Sequence, residues 1–218
     1  SIHGSGRSER HKRSVLLMRI AALVLAAGRS RRFGRGNKLL AVLEGRTVLE
    51  RTVAAVSEAG FSDIAVVTGP AHVATGEILR AYPVRFVRCP DEKDGMGYSI
   101  AAGVASLGPD IDGVAILPGD MPLMTTATLR SLVDMFAAQG GKRIVHPVDR
   151  AGEQHNPVIW PRAFFADLQI LAGDRGAKFL IRDAFGVRIA DDSTLLDVDT
   201  AEAFAIARQA LTGKSAAV

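Results

Sequence analysis

Short unbroken apolar runs alternate along this chain with segments whose apolar residues recur at helical spacing. Residues 20–25 form the first run, which is β-prone and closed by Ala26-Ala27-Gly28, and they predict a buried strand. Residues 47–59 place Val48, Leu49, Val53 and Val56 on one helical face, with Gly60 as a stop. Runs at 64–67, 84–87 and 113–117 predict further strands. Residues 72–81, 98–107 and 126–138 predict helices, the last capped by Thr125 or Thr126. These strands lack polar alternation, which implies a parallel sheet covered on both faces. The expected fold class is therefore α/β, doubly wound and mostly parallel.

After Gly140 the rhythm loosens into a smaller irregular region. Short strands are expected at 144–148 and 158–160, around a polar loop. Helices are expected at 161–171, begun by Pro161, and at 177–184. A strand at 187–190 and a terminal helix at 200–211 complete the pattern. Residues 19–213 thus read as one domain, with a leader, tag or linker at 1–18 and a tail at 214–218. In open α/β sheets, ligands bind at the carboxyl ends of strands. The loops after Leu25, Val67, Val87 and Leu117 should then converge on one crevice.

Composition narrows the classes. The 218 residues are 48% apolar and 23% charged, too apolar for disorder as the main state. Cys89 is the only cysteine, which excludes a disulfide framework and fits a reducing, cytoplasmic setting. The net charge is +4. Arg7, Arg10, Lys12 and Arg13 against Glu9 supply three of those charges from the leader, leaving one for the rest. So balanced a body argues against a nucleic-acid partner. The stretch from Lys12 to Gly28 has the look of a signal peptide, but Arg19 interrupts it. No run approaches the ~20 apolar residues of a membrane span.

Unusual residues gather in the predicted loops. Leu25-Ala26-Ala27-Gly28 is followed by Arg29, Arg31, Arg32, Arg35 and Lys38. Small residues after a buried strand allow close backbone approach, and Arg and Lys suit phosphates. Neither a Walker loop nor the dinucleotide fingerprint fits, since Gly-Lys-Ser/Thr and the third glycine are both missing. A solvated basic turn is the plainer alternative. In Gly119-Asp120-Met121-Pro122 a carboxylate at a strand end is placed to hold a hard cation, and Mg²⁺ favours one or two carboxylates plus substrate phosphates. Asp197-Val198-Asp199-Thr200 offers a second carboxylate from Asp199, with Asp197 beside it, or simply the cap of the last helix. Gly95, Gly97 and Ser99 precede a helix and offer an open approach for a base or phosphate, or a capped flexible loop. Two polar loops in the irregular half carry His155 and Asn156, then Asp174 and Lys178. A lone histidine such as His155 is more often a hydrogen-bonding loop residue than an acid or base. Cys89 reads as core, and Trp160, Phe164 and Phe165 as core or dimer contacts.

The segment from Leu25 to Lys38 resembles the signature of the MobA-like nucleotidyltransferases of the molybdenum-cofactor type: Leu-Ala-Ala-Gly, then Ser, Arg, a hydrophobe and Gly, then Lys. Gly-Asp-Met-Pro and Asp-x-Asp-Thr resemble two further motifs, with Phe33 in place of a methionine and Ala201 in place of a proline. The resemblance implies a GT-A-like, Rossmann-type fold. Leu25, Ala26, Ala27, Gly28, Gly95, Ser99 and Gly119 would bind nucleotide, and Arg32 and Lys38 its triphosphate. Asp120 and Asp199 would hold Mg²⁺, with Arg32, Lys38 and Asp120 carrying the reaction. His155, Asn156, Asp174 and Lys178 would face the acceptor. Ala26-Ala27 resembles the cytidylyl branch, which implies transfer of CMP from CTP to the phosphate of molybdopterin cofactor, with release of pyrophosphate. A guanylyl- or sugar-1-phosphate nucleotidyltransferase, a glycosyltransferase, and a nucleotide-binding module without turnover are the alternatives. A molybdoenzyme or its chaperone is the implied protein partner, and monomer and homodimer both stay open.

Overall fold

Strand β1 (Ile20–Ala26) alternates its side chains between two helical layers, and this alternation builds both faces of the domain. The structure is a computed structural model and describes residues 18–28, 37–89 and 95–215. Ala22, Val24 and Ala26 pack into one core with Val48, Val53 and Val56 of helix α1 (Val48–Glu58). Ala21 and Leu23 point the other way, toward Ile100 and Val104 of a helix described next.

From β1 the chain passes through a hairpin, β2 (Val42–Leu43) and β3 (Arg46–Thr47), into α1. It continues through β4 (Asp63–Thr68), α2 (His72–Leu79), β5 (Arg85–Arg88), α3 (Met96–Ala105), β6 (Gly113–Pro118) and α4 (Thr126–Ala138). Then follow β7 (Val145–Val148), β8 (Val158–Pro161), α5 (Phe165–Gln169), β9 (Phe185–Arg188) and α6 (Ala201–Ser215). The main sheet has seven strands in the order β5-β4-β1-β6-β8-β7-β9. β5, β4, β1 and β6 run parallel, β8 is antiparallel to both its neighbours, and β9 is parallel to β7. The α/β, mostly parallel reading therefore stands. The chain steps outward from β1 to β4 and β5, then crosses back to β6 on the other side of β1. The carboxyl ends of β1 and β6 flank that reversal, where such sheets open a ligand crevice.

Local chemistry explains the boundaries. Thr47 caps α1 through a capping box: its hydroxyl accepts from the Glu50 N–H at 3.2 Å, and the Glu50 carboxylate accepts from the Thr47 N–H at 2.8 Å. Gly60, at φ +91°, ends the turn after α1. The β2–β3 hairpin has no counterpart in the sequence reading. Its turn is Glu44-Gly45 with both φ positive, at +48° and +77°, the geometry that matches strand twist in two-residue hairpins.

The irregular half departs most from expectation. The helix expected at 177–184 is a single three-ten turn, Ala177–Leu180, followed by extended backbone at Ile181. Asp183 then takes φ +48°, and Arg143 holds it there through the Asp183 carbonyl and carboxylate. The strand expected at 187–190 begins two residues earlier, although its ladder reaches Ile189, whose N–H bonds the Val148 carbonyl at 3.0 Å. Pro161 closes β8 instead of opening a long helix; a three-ten turn, Arg162–Phe164, leads into the five-residue α5. Trp160 and Cys89 are buried, as expected. Most of the expected leader (1–17) and residues 216–218 of the tail lie outside the described residues, while Met18 packs beside the Phe136 cluster and α6 runs on to Ser215. Among the described residues no helix is long and apolar enough to cross a membrane.

Replacing Thr47 with Ala removes half of the capping box and should lower unfolding free energy by about 1 kcal/mol. Thr47→Ser should keep most of it, and urea-denaturation midpoints of the two variants against the parent check both.

Candidate active site

The crevice is built by loops that are stitched to one another through the backbone. The Gly119 N–H donates to the Leu25 carbonyl at 2.9 Å, which ties the loop after β6 to the end of β1. A side chain at Gly119 would press on Leu49 Cδ1 at 2.8 Å and on the Leu25 carbonyl at 3.1 Å, so only glycine fits without a shift. The Thr52 hydroxyl, buried in α1, donates to the Gly119 carbonyl at 3.0 Å. Gly69, after β4, lies so close to Ala27 that a Cβ there would come within 2.9 Å of its carbonyl oxygen. The loops after β1, β4 and β6 therefore do converge, with Ala27 half-buried and Gly28 exposed at the rim. The loop after β5 begins at Cys89, whose N–H bonds the Thr68 carbonyl at 2.8 Å.

Two clips bring distant carboxylates to this place. The Asp120 carbonyl accepts from the Val198 N–H at 2.9 Å, which pins the segment before α6 onto the loop after β6. Thr200 caps α6, its hydroxyl accepting from the Ala203 N–H at 3.2 Å. The cap role belongs to Thr200, so the Asp199 carboxylate is left for the crevice. On the other side, the Asn37 carboxamide oxygen accepts from the Leu39 N–H at 3.0 Å and caps a three-ten turn, Lys38–Leu40. Leu39 anchors that turn in the core, and Lys38 points inward.

At the centre the Lys38 ammonium donates to both Asp120 Oδ2 and Asp199 Oδ1. The Asp120 residue is only 5% exposed, whereas the Asp199 side chain is 58% exposed. Burial works against the Lys38 ammonium, but Asp120 and Asp199 together outweigh it and hold its pKa above the ordinary value. Burial also raises the Asp120 pKa; Lys38 opposes that rise and Asp199 adds to it. Asp197 is pushed up to about 7, first by burial and then by repulsion from Asp120 and Asp199, with Lys38 and His155 pulling the other way. Among the described residues, Asp120 Oδ1 and Asp197 Oδ1 are buried without a hydrogen-bond partner. Among the described residues, Asp120, Asp199 and the weakly acidic Asp197 gather around the Lys38 ammonium, and orphaned carboxylate oxygens suit a hard divalent cation. The residues present therefore fit such an ion.

The remaining candidates are spread around this centre. Arg32 lies outside the described residues, as do the other arginines of its loop. The space at Gly95 and Gly97 is taken by the protein itself: Cβ atoms there would meet the backbone of Gly173 at 2.3 Å and of Ala172 at 2.8 Å. The Gly97 N–H bonds the Gly173 carbonyl at 2.9 Å, and the Ser99 hydroxyl turns back to the Gly95 carbonyl at 3.4 Å. On their Cβ side these glycines thus admit the backbone of Ala172 and Gly173. The same packing brings Asp174 against Gly95, while Lys178 is exposed on the following three-ten turn. Leu25 and Ala26 end β1, and Asn156 is half-buried just before β8.

His155 sits closer to the centre than a bland loop histidine would. Its Nε2 lies 3.0 Å from Asp149 Oδ2, and it is among the groups that hold the Asp197 pKa down. Asp149, Glu153 and His155 bring their ligand atoms within 4.8 Å of one another. The hydrogen bond from His155, helped by the Glu153 backbone, lowers the Asp149 pKa. Asp149 and Glu153 went unnoticed in sequence, where no spacing marks them; the Val148–Gln154 bridge and the bond from the Glu153 N–H to Asp149 Oδ1 at 2.8 Å bring them together.

The pattern of the MobA-like NTP transferase domain matches residues 22–191. The bifunctional protein GlmU of Syntrophomonas wolfei is 30% identical over 118 residues, covering 54% of this chain and 26% of that protein. The chain thus spans about a quarter of the length of the GlmU proteins it matches. Nicotine blue oxidoreductase of Paenarthrobacter nicotinovorans is 27% identical over 190 residues, covering 84% of this chain and 93% of that protein. The crystal structure of Rv0371c from Mycobacterium tuberculosis H37Rv superposes with a TM-score of 0.75 at 28% identity, covering 88% of this chain and 99% of that one. A second structure of Rv0371c is a complex with manganese.

The raised Asp197 pKa has a consequence for stability. Its ordinary value is ~3.9, so between there and about 7 the folded state holds a proton that the unfolded state has lost, and stability falls as pH rises through this window. In EDTA, Asp197→Asn should therefore raise the melting temperature at pH 8 and raise it less at pH 5. Thermal melts at the two pH values check this.

Proposed function

The chain belongs to the MobA-like NTP transferase domain family, and on that footing we propose that it transfers CMP from CTP to the phosphate of molybdopterin cofactor, releasing pyrophosphate. Nucleotidyl transfer is the family's chemistry; the choice of nucleotide and acceptor is our reading of Ala26-Ala27 and of the acceptor-side loops. One observation supports it above the rest. Lys38, Asp120 and Asp199, from three distant parts of the chain, meet at the carboxyl ends of the strands beside the reversal of the sheet.

The roles follow from the charges. The acceptor is a phosphate monoester whose second pKa is near ~6, so it arrives ionised and needs no activated serine, cysteine or base. The protein's tasks are alignment and charge stabilisation. Asp120 and Asp199 would hold the divalent ion, which we take to be Mg²⁺. Once bound, such an ion polarises the phosphoryl oxygens and offsets developing charge. Lys38, with Arg32, would neutralise the triphosphate and the departing pyrophosphate. Gly119 keeps its carbonyl on Thr52 and its N–H on Leu25, which fixes the height of Asp120 above the sheet. His155, Asn156, Asp174 and Lys178 would meet the acceptor, His155 through its hold on Asp149.

The long match to nicotine blue oxidoreductase supports a second reading, a redox reaction on the same fold. The acidic, lysine-bearing crevice favours phosphate and cation chemistry over hydride transfer. With Mg²⁺, a panel of CTP, GTP, ATP and UTP offered with molybdopterin cofactor should release pyrophosphate fastest with CTP. Consumption of a reduced nicotinamide without pyrophosphate would move the assignment to the redox reading. Asp120→Asn should slow pyrophosphate release on the order of 100-fold or more while the far-UV circular dichroism stays that of the parent.

A further inference from the structure

The position of Lys38 is itself informative. A lysine that served only to meet the triphosphate would be free to lie in the crevice mouth. Here the side chain is 16% exposed and reaches inward, where its ammonium is shared between Asp120 and Asp199. These are the same two carboxylates that the fit to a divalent cation requires. An ammonium bonded to both and a doubly charged ion ligated by both would repel at contact distance. The two cations are therefore alternatives.

The local structure supports an exchange between them. The turn that carries Lys38 is fixed by the Asn37 cap and by buried Leu39, so its backbone has no need to move. The four-carbon stem of lysine re-aims by rotamer changes alone. Asp199 is exposed and free to follow, whereas Asp120 is enclosed and needs a positive neighbour at all times. Asp120 Oδ1, buried and unpartnered, is an oxygen that Lys38 does not use. The ammonium thus meets the Asp120 carboxylate at one of its two oxygens.

We infer that the Lys38 ammonium is a built-in occupant of the cation site, holding the Asp120 and Asp199 carboxylates until a nucleoside triphosphate draws it away, so that divalent cation and nucleotide bind cooperatively and the cation alone binds weakly. This rests on the reading of the crevice as a nucleotide and cation site. The coupling is reciprocal: the nucleotide tightens the cation by the factor by which the cation tightens the nucleotide.

The test is a titration of the full chain with Mn²⁺, followed by the electron paramagnetic resonance of the free ion, with and without CTP carrying a non-hydrolysable α–β bridge. The parent should bind Mn²⁺ weakly alone and at least ten-fold more tightly with the nucleotide. Lys38→Met should bind Mn²⁺ alone at least ten-fold more tightly than the parent, and the further gain from the nucleotide should be smaller than in the parent. Lys38→Arg, which keeps the charge, should stay weak. Equal Mn²⁺ affinity in parent and Lys38→Met, or equal enhancement by nucleotide in both, overturns the proposal. Failure of the underlying site reading looks different: Asp120→Asn would then bind Mn²⁺ as the parent does. If Lys38→Met does not fold, a crystal of the parent with Mn²⁺ and the nucleotide analogue decides. An anomalous peak on Asp120 and Asp199 with Lys38 turned to the triphosphate supports exchange; a peak with Lys38 still bonded to both carboxylates overturns it.

Discussion

A carboxylate enclosed at the end of a central strand sets the terms for this molecule. Asp120 is almost without solvent, and an ionised group in that position needs a positive partner. Lys38 provides one, from a turn 82 residues earlier in the chain. Everything that holds the crevice together can be traced to keeping these two groups in register. The Gly119 N–H on Leu25 sets the height of the aspartate, Thr52 braces the carbonyl beneath it, and Leu39 sinks the lysine's turn into the core. The Val198 N–H then adds the last segment of the domain to the same point.

The sheet makes such convergence cheap in conformational terms. Each parallel strand delivers its loop to the same edge, so residues remote in sequence arrive close in space without long excursions. The antiparallel strand β8 changes that pattern on one flank only. It lets the chain return to the crevice edge through the loop holding Asp149, Glu153 and His155, which puts a second charged group of residues beside the first. His155 lies between the two, hydrogen-bonded to Asp149 and among the groups that hold the Asp197 pKa down.

The parallel core was legible in the sequence because buried strands leave unbroken apolar runs; α4 was read at its observed limits, 126–138, and β1 to within one residue. Lys38, Asp120 and Asp199 were legible because charged residues beside glycine, at the ends of such runs, are conspicuous. Asp197 was harder to read, since its perturbation comes from enclosure and from neighbours that only the fold brings near. The packing of the glycines at 95 and 97 was hidden for a similar reason: a glycine that admits a ligand and one that admits a neighbouring backbone look alike in a string of letters, and here Ala172 and Gly173 pack against their Cβ side. In the irregular half, apolar spacing suggested a helix from 177, but the conformation is settled at Asp183 by Arg143, forty residues away. Local pattern does not carry that information.

The bond from Val198 to Asp120 has a bearing on how the protein comes into being. Synthesis proceeds from the amino end, so the strands and the basic turn emerge from the ribosome well before Asp199 does. Until that last stretch has cleared the exit tunnel, the crevice lacks one of its acidic walls and the clip that seats it. A nascent chain is thereby kept from assembling the complete pocket early, and competence arrives only with the segment that carries Asp199.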